Sequence, residues 1–482
     1  MDLPRDAEIA VARRLLPVVG VAFLLVQLLV FALDRPPGWD EAIYLSQVTP
    51  GAEPLPFVPS RARGVTFLAL PVLQLGGSLP VLRVCLALAS AGALIGAFSL
   101  WAPVIGVGAV AAGALFAFAW PALFYGSELM PNLWMAFVAV AVCAVLARRL
   151  ARGEGSSDEL IAGGLVALAA FFRPLDAVVL TAALVLVPIA MRRGTIVWTA
   201  HLLLGLAAGL APWLVEMTVR FGSPGEALSA AARLGHTGRW SLVENVRQYL
   251  ALSDGPPIGP VADPDLPLVG LLWFLGLVTL AAVGVRVSSS RGTLAPVAVP
   301  TIAGLVLAAE YVVFTDAQAP RFLLPALALL VLPAGVGLAA VLAPTRRGAG
   351  PARTAAAVAT ATLVAAWAVV QVGIAARVET GVSGQRATAE RAGLRVRALA
   401  ARQPCVVYSE PGFPMVGYAA RCRAVPIGEA DAIRHPERSV PDGVRVFVVL
   451  RRTEAPSPPA GGVLLAEIAT RSQLTWFVYG LG

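Results

Sequence analysis

Residues 34–45 read Asp-Arg-Pro-Pro-Gly-Trp-Asp-Glu-Ala-Ile-Tyr-Leu and follow directly on an uncharged apolar run at 15–33. That run is long enough to cross a hydrocarbon core of about 30 Å. Asp40 and Glu41 therefore lie just past the end of a first membrane span. Carboxylates beside a bilayer are costly unless water, a cation or a substrate solvates them. A pair in this place points to a loop with a task, and its neighbours decide which task.

The rest of the chain repeats the pattern. It is 58% hydrophobic and 14% charged over 482 residues, with a mean hydropathy of +0.77. A soluble chain of this length could not cover so much apolar surface. The formal charge of +8 comes from arginine alone, since the sequence contains no lysine. Those arginines are scattered at the ends of apolar runs rather than gathered in a patch, which argues against nucleic acid as a partner. The first run lacks a small-residue cleavage site and reads as an uncleaved span.

The sequence predicts a polytopic α-helical membrane protein of about 11 spans, at 15–33, 80–100, 103–124, 131–147, 160–172, 174–190, 195–214, 266–285, 295–314, 322–343 and 354–375. Arginine counting puts the N-terminus in the cytoplasm. Arg148, Arg149 and Arg152, then Arg192 and Arg193, Arg286 and Arg291, and Arg346, Arg347 and Arg353 then fall in inner loops. Residues 1–375 form the membrane domain. Its outer side receives a first loop at 34–79, in which 64–78 is a short interfacial helix, and a long loop at 215–265. Residues 376–482 change character: a helix at 386–402 and strands at 405–410, 423–427, 444–450 and 475–479 predict a small extracytoplasmic α/β domain. Cys405 and Cys422 lie in it, and an oxidising compartment favours a disulfide between them. With no histidine cluster nearby they make a poor metal site.

Asp40 and Glu41 have a plain reading, with Asp40 as N-cap and Glu41 in the first turn of a helix through Ala42–Gln47. Other charges collect on the same side. Glu128 lies in a turn too short to solvate it, Arg173 and Asp176 in Phe-Phe-Arg-Pro-Leu-Asp, and Arg321 in Ala-Pro-Arg-Phe-Leu-Leu-Pro. Each could be a snorkelling side chain or, for Arg173 and Asp176, an ion pair. Together they suit a cavity with a general base and a phosphate clamp. The long loop adds Glu216, Arg220, His236, Arg239 and Trp240, a polar and aromatic mixture suited to a lid or acceptor groove. No nucleotide-binding glycine fingerprint follows a strand.

Four stretches carry a resemblance: Trp-Asp-Glu-Ala-Ile-Tyr-Leu (39–45), Gly-Ser-Leu-Pro-Val-Leu-Arg (77–83), Ala-Ala-Phe-Phe-Arg-Pro-Leu-Asp (169–176) and Pro-Arg-Phe-Leu-Leu-Pro-Ala-Leu (320–327). In order and topology, over about residues 10–345, the chain resembles the integral-membrane GT-C glycosyltransferases of the protein O-mannosyltransferase and aminoarabinose-transferase-like group. The resemblance implies inverting transfer of a sugar from a polyprenyl-phosphate donor to a hydroxyl of a cell-envelope acceptor, whether polysaccharide, lipid or protein, on the outer face. Asp40 or Glu41 would be the base. Arg61, Arg63, Arg173 and Arg321 would hold the donor phosphate. Glu128, Tyr44 and His236 would position the acceptor or a divalent cation, on which related enzymes differ in their dependence. The alternative is a transporter or flippase of lipid-linked or small polar substrates. It is disfavoured by the lack of an internal repeat and by charges at one end of the spans. A non-catalytic assembly protein with the same fold is the third reading.

Overall fold

The computed structural model describes residues 6–152, 156–192, 196–233, 242–255, 259, 267–315, 318–343, 351–401, 403–410, 412–426, 443–453, 456, 462–469 and 475–481. In chain order the helices are α1 (Asp6–Val30), α2 (Trp39–Ser46), α3 (Thr66–Gln74), α4 (Leu79–Ser99), α5 (Ala102–Ile105), α6 (Gly108–Ala117), α7 (Trp120–Tyr125), α8 (Pro131–Arg152), α9 (Ser156–Phe172) and α10 (Pro174–Ala190). They continue with α11 (Ile196–Phe221), α12 (Pro224–Arg233), α13 (Leu242–Leu252), α14 (Leu268–Ser290), α15 (Leu294–Val313), α16 (Leu324–Leu342), α17 (Pro351–Ala400) and α18 (Phe413–Ala420). A 3-10 turn, Pro320–Leu323, leads into α16. The strands are β1 (Cys405–Glu410), β2 (Arg423–Pro426), β3 (Arg445–Arg452), β4 (Gly462–Ala469) and β5 (Thr475–Leu481).

Eight described segments are long and apolar enough to cross a membrane: α1, α4 with α5, α8, α11, α14, α15, the 3-10 turn with α16, and α17. The expected spans at 103–124, 160–172 and 174–190 differ, each for a local reason. The first is not one helix but α5, α6 and α7, broken at Gly106 (φ 56°) and again at Ala119, whose ψ of 125° is extended ahead of the Trp120-Pro121 pair. The other two are α9 and α10, separated at Arg173-Pro174. Pro174 lacks an N–H and pushes the preceding residue out of the helical region, and Arg173 accordingly sits at φ −144°, ψ 90°. The short helix expected within 64–78 is α3, with Pro71 inside it.

The expected span at 354–375 and the expected separate helix from 386 belong to one helix, α17. It runs unbroken for 50 residues, which at 1.5 Å per residue is about 75 Å. Gly381 and Gly384 lower helix propensity without supplying a stop. The long loop also contains more helix than expected: α11 continues to Phe221 and is followed by α12 and α13.

The chain divides into two compact units. One comprises Met1–Phe31, Pro59–Gly64 and Val84–Val378, the other Ala32–Val58, Val65–Arg83 and Glu379–Gly482. In the first, α14 and α16 approach backbone to backbone: a Cβ on Gly284 would stand 1.9 Å from the Pro333 carbonyl oxygen, and one on Gly337 2.0 Å from that of Leu280. Small residues at such contacts let apolar helices gain dispersion energy where no hydrophobic effect drives them together.

In the second unit the five strands are ordered β2-β1-β3-β5-β4. β1 is parallel to β2 and β3, whereas β5 is antiparallel to β3 and β4. Val406, Tyr408, Val446, Val448, Phe477 and Tyr479 form one buried face. Val407, Phe447, Val449, Trp476 and Val478, on the alternate positions, are buried too. Central strands covered on both sides read as continuous apolar runs, as these do. β4 and α18 escaped the sequence reading. β4 is an edge strand with Val463, Leu464 and Leu465 exposed, so it has no inward alternation to betray it. Cys405 and Cys422 are joined, with Cα atoms 5.0 Å apart; the register pairing Val406 with Arg423 places them opposite one another.

Candidate functional site

The acidic stretch becomes the first turn of α2. Its N-cap is Gly38, not Asp40 as expected; Asp40 and Glu41 occupy the next-to-first and third helical positions. Carboxylates there favour the helix dipole. Glu41 is the reciprocal arm of a cap, its Oε2 accepting from the Gly38 N–H at 3.3 Å. It also pairs with Arg83: Nη1 donates to Oε1 at 2.5 Å and Nη2 to Oε2 at 2.7 Å. Both side chains are 1% exposed. Bidentate geometry is what makes such a pair tolerable away from water.

The pair belongs to a larger buried set in the same unit. Arg83 Nη2 also donates to the Arg35 carbonyl at 3.3 Å. Arg35 is ion-paired to Glu379 of α17, and Glu379 Oε1 accepts from the Ala32 N–H at 3.3 Å and the Ser383 hydroxyl at 2.7 Å. Gly38 lies against Arg386: a Cβ there would lie 2.6 Å from its guanidinium. The loop 32–46 is thus clamped at Arg35, Gly38 and Glu41. Asp40, between them, remains partly exposed. Tyr44, expected to position an acceptor, is instead a core residue at 3% exposure, its ring edge-on to Phe57 at 5.9 Å.

In the membrane unit, Arg173 and Asp176 form the ion pair that the plain reading allowed, Nη2 to Oδ1 at 3.0 Å. Tyr311 of α15 completes it, donating to Asp176 Oδ1 at 2.6 Å and accepting from Arg173. The Phe322 ring stacks on Tyr311 at 5.1 Å and has both guanidiniums near it, Arg173 5.7 Å and Arg321 4.7 Å from its centroid. Arg173 and Arg321, far apart in sequence, therefore share one aromatic ring. Tyr249 of the long loop joins them: burial pushes its phenol up, against the pull of Arg321 and Arg173. Glu310 lies within electrostatic reach of Arg173 and Asp176. Two arginines thus face two carboxylates.

Arg63 is drawn elsewhere. Its Nε donates to both oxygens of Glu216 at 2.9 and 3.0 Å and its Nη2 to Oε1 at 2.8 Å, and Glu216 also pairs with Arg220 at 2.9 Å. Arg61 is partly exposed nearby in sequence. Glu128 is 2% exposed in the turn before α8. His236, Arg239 and Trp240 lie outside the described residues. Among the described residues no three His, Cys, Asp or Glu side chains gather to hold a metal ion.

Arg83, Tyr311, Glu310 and Glu379 were missed as partners. Arg83 stood in a quoted motif, and Glu310 is a carboxylate in an apolar run, a signal in itself. Nothing in the sequence joined either to its partner.

Neither a family model nor a curated protein matches the chain. Solved structures do. ArnT from Cupriavidus metallidurans, bound to undecaprenyl phosphate, superposes with a TM-score of 0.65 at 15% identity, covering 96% of this chain and 97% of that one. The archaeal oligosaccharyltransferase AglB from Archaeoglobus fulgidus, in complex with an inhibitory peptide and a dolichol-phosphate, gives 0.54 at 15% identity, over 90% of this chain and 69% of the other. The mycobacterial arabinofuranosyltransferase AftD gives 0.56 at 14% identity over 98% of this chain, which spans 40% of AftD. At such identities the likeness is one of fold. The chain is an integral membrane protein with the fold of the GT-C glycosyltransferases.

Proposed function

We propose that the protein transfers a sugar from a polyprenyl-phosphate donor to an acceptor hydroxyl on the extracytoplasmic face, with inversion and with Asp40 as general base. The observation that carries this reading is the division of labour in α2. Glu41 is buried, capping and bidentate to Arg83, whereas its neighbour Asp40 stays partly exposed on a loop held at three points. A base must reach the proton it takes and must be held still while taking it. The lipids seen with ArnT and AglB, undecaprenyl phosphate and dolichol-phosphate, are polyprenyl phosphates, the class that the proposed donor would release once its sugar is transferred.

In the reaction the acceptor oxygen bonds to the anomeric carbon as the bond from that carbon to the phosphate oxygen breaks. The hydroxyl proton passes to Asp40 and polyprenyl phosphate leaves with the bonding pair. Charge then accumulates on the departing phosphate, and preorganised guanidiniums lower its cost. Arg173 and Arg321 are our candidates for that role. Glu128 is our candidate for the acceptor or a divalent cation.

The test uses the full chain in lipid nanodiscs against a panel of polyprenyl-phosphate sugars, reading release of free polyprenyl phosphate as the sugar passes slowly to water in place of the acceptor hydroxyl. One donor should turn over, and Asp40→Asn should slow it by a factor on the order of 10² or more. Equal turnover by Asp40→Asn would remove Asp40 as the base, and no turnover across the panel with and without added divalent cation would remove the transferase reading.

A further inference from the structure

α17 carries Arg386, Glu390 and Arg397 on one face, at spacings of four and seven residues, which helical periodicity stacks in one stripe. That stripe forms one wall of a cavity of about 160 Å³. α18 closes it with Met415 and Tyr418, and Arg421, just past the end of α18, lines it as well. Every lining residue belongs to the unit that holds Asp40.

The lining is built rather than accidental. Arg386 is 6% exposed and its guanidinium is packed against Gly38. Arg421 is held in the left-handed region (φ 56°) as the C-cap of α18, with its Nη1 3.3 Å from where a Cβ on Gly51 would stand. The Tyr418 hydroxyl is hydrogen-bonded to Thr49 at 3.1 Å, which fixes the ring at the cavity wall. Arg386, Arg397 and Arg421 line the cavity together with one carboxylate, Glu390, beside which Asp34 also acts. Burial, and then Asp34, raise the Glu390 carboxyl above the usual range.

We propose that this cavity binds an anionic group, a phosphate monoester or carboxylate, borne by the acceptor, as a subsite for acceptor recognition. The assignment to the acceptor rests on the transferase reading; the anion site does not. Guanidiniums in a fixed array match the oxygens of both anions. The volume suits one small headgroup and not a whole sugar chain or peptide, since sites for larger organic ligands run to roughly 300 Å³ and above.

The experiment titrates the full chain in nanodiscs with glycerol 3-phosphate, with glucuronate and with neutral glucose, reading binding calorimetrically. Saturable binding of one or both acids but not glucose is expected. Arg397→Gln combined with Arg421→Asn should weaken it at least tenfold; asparagine tolerates the left-handed conformation, and Arg397 is exposed, so neither change threatens folding. Asp40→Asn should bind the probes as wild type does while losing donor turnover, which separates this proposal from the catalytic one. Binding that the double variant leaves unchanged, or no binding at all, would overturn the site. Weakened binding of polyprenyl phosphate in the double variant would hand the cavity to the donor and overturn its assignment to the acceptor.

Discussion

Arg83 and Glu41, 42 positions apart in sequence, meet through two parallel hydrogen bonds with both side chains 1% exposed. The pair converts one of two adjacent carboxylates into a structural element and so distinguishes Glu41 from Asp40. Removing one partner strands a buried charge, which typically costs about 3–5 kcal/mol. Arg83→Met should therefore lower the thermal midpoint sharply, and Glu41→Gln with Arg83→Met should recover much of the loss. A double-mutant cycle on unfolding in nanodiscs reads both; additive effects at 41 and 83 would contradict the coupling.

The bond between Cys405 and Cys422 ties β1 to the start of β2 across a sequence separation of 17. Closing a loop of that length removes unfolded-state entropy worth about 3 kcal/mol. Cys405→Ala with Cys422→Ala should lower the unfolding midpoint of the α/β unit by a corresponding amount. Maleimide labelling before reduction should reach neither cysteine in the wild type.

Glu390 gives stability a pH dependence of known sign. Its carboxyl is raised in the folded state by burial and by Asp34. Between the ordinary glutamate value and the raised one the folded chain binds more protons than the unfolded one, so the contribution of Glu390 falls as pH rises through that window. Glu390→Gln should flatten the decline and be the more stable form near neutral pH. Unfolding midpoints of both forms from pH 4 to 8 check this; parallel curves would refute it.

Gly284 and Gly337 set the separation of α14 and α16. A methyl group at 284 would have to displace the backbone carbonyl of Pro333, which cannot rotate away as a side chain can. Gly284→Ala should destabilise by about 1–3 kcal/mol. Gly276→Ala on the same helix, where an added Cβ meets nothing within 4 Å, is the control. Comparable losses in the two would remove the contact as the cause.

Legibility differed by type of element. Apolar runs announced the membrane helices because burial in lipid needs nothing but length and composition. The breaks at Arg173-Pro174 and the strands β1, β3 and β5 were readable for local reasons. The exposed edge strand β4 was not, because an unpartnered face carries no inward pattern. The unbroken α17 was misread as two helices because its polar half looked like a separate element, although no stop signal intervenes.

The sequence by itself determined a membrane protein whose first polar loop carries two carboxylates, with arginines recurring near the ends of its apolar runs. Those are statements of composition and of neighbours along the chain. How Glu41 is anchored was decided by Arg83, which ring joins Arg173 to Arg321 by Phe322, and which arginines share a cavity by the packing of α18 on α17. Such pairings depend on angstrom distances between residues tens to hundreds of positions apart. A hydrophobic pattern fixes which residues leave water, and it leaves open which buried charges then find one another.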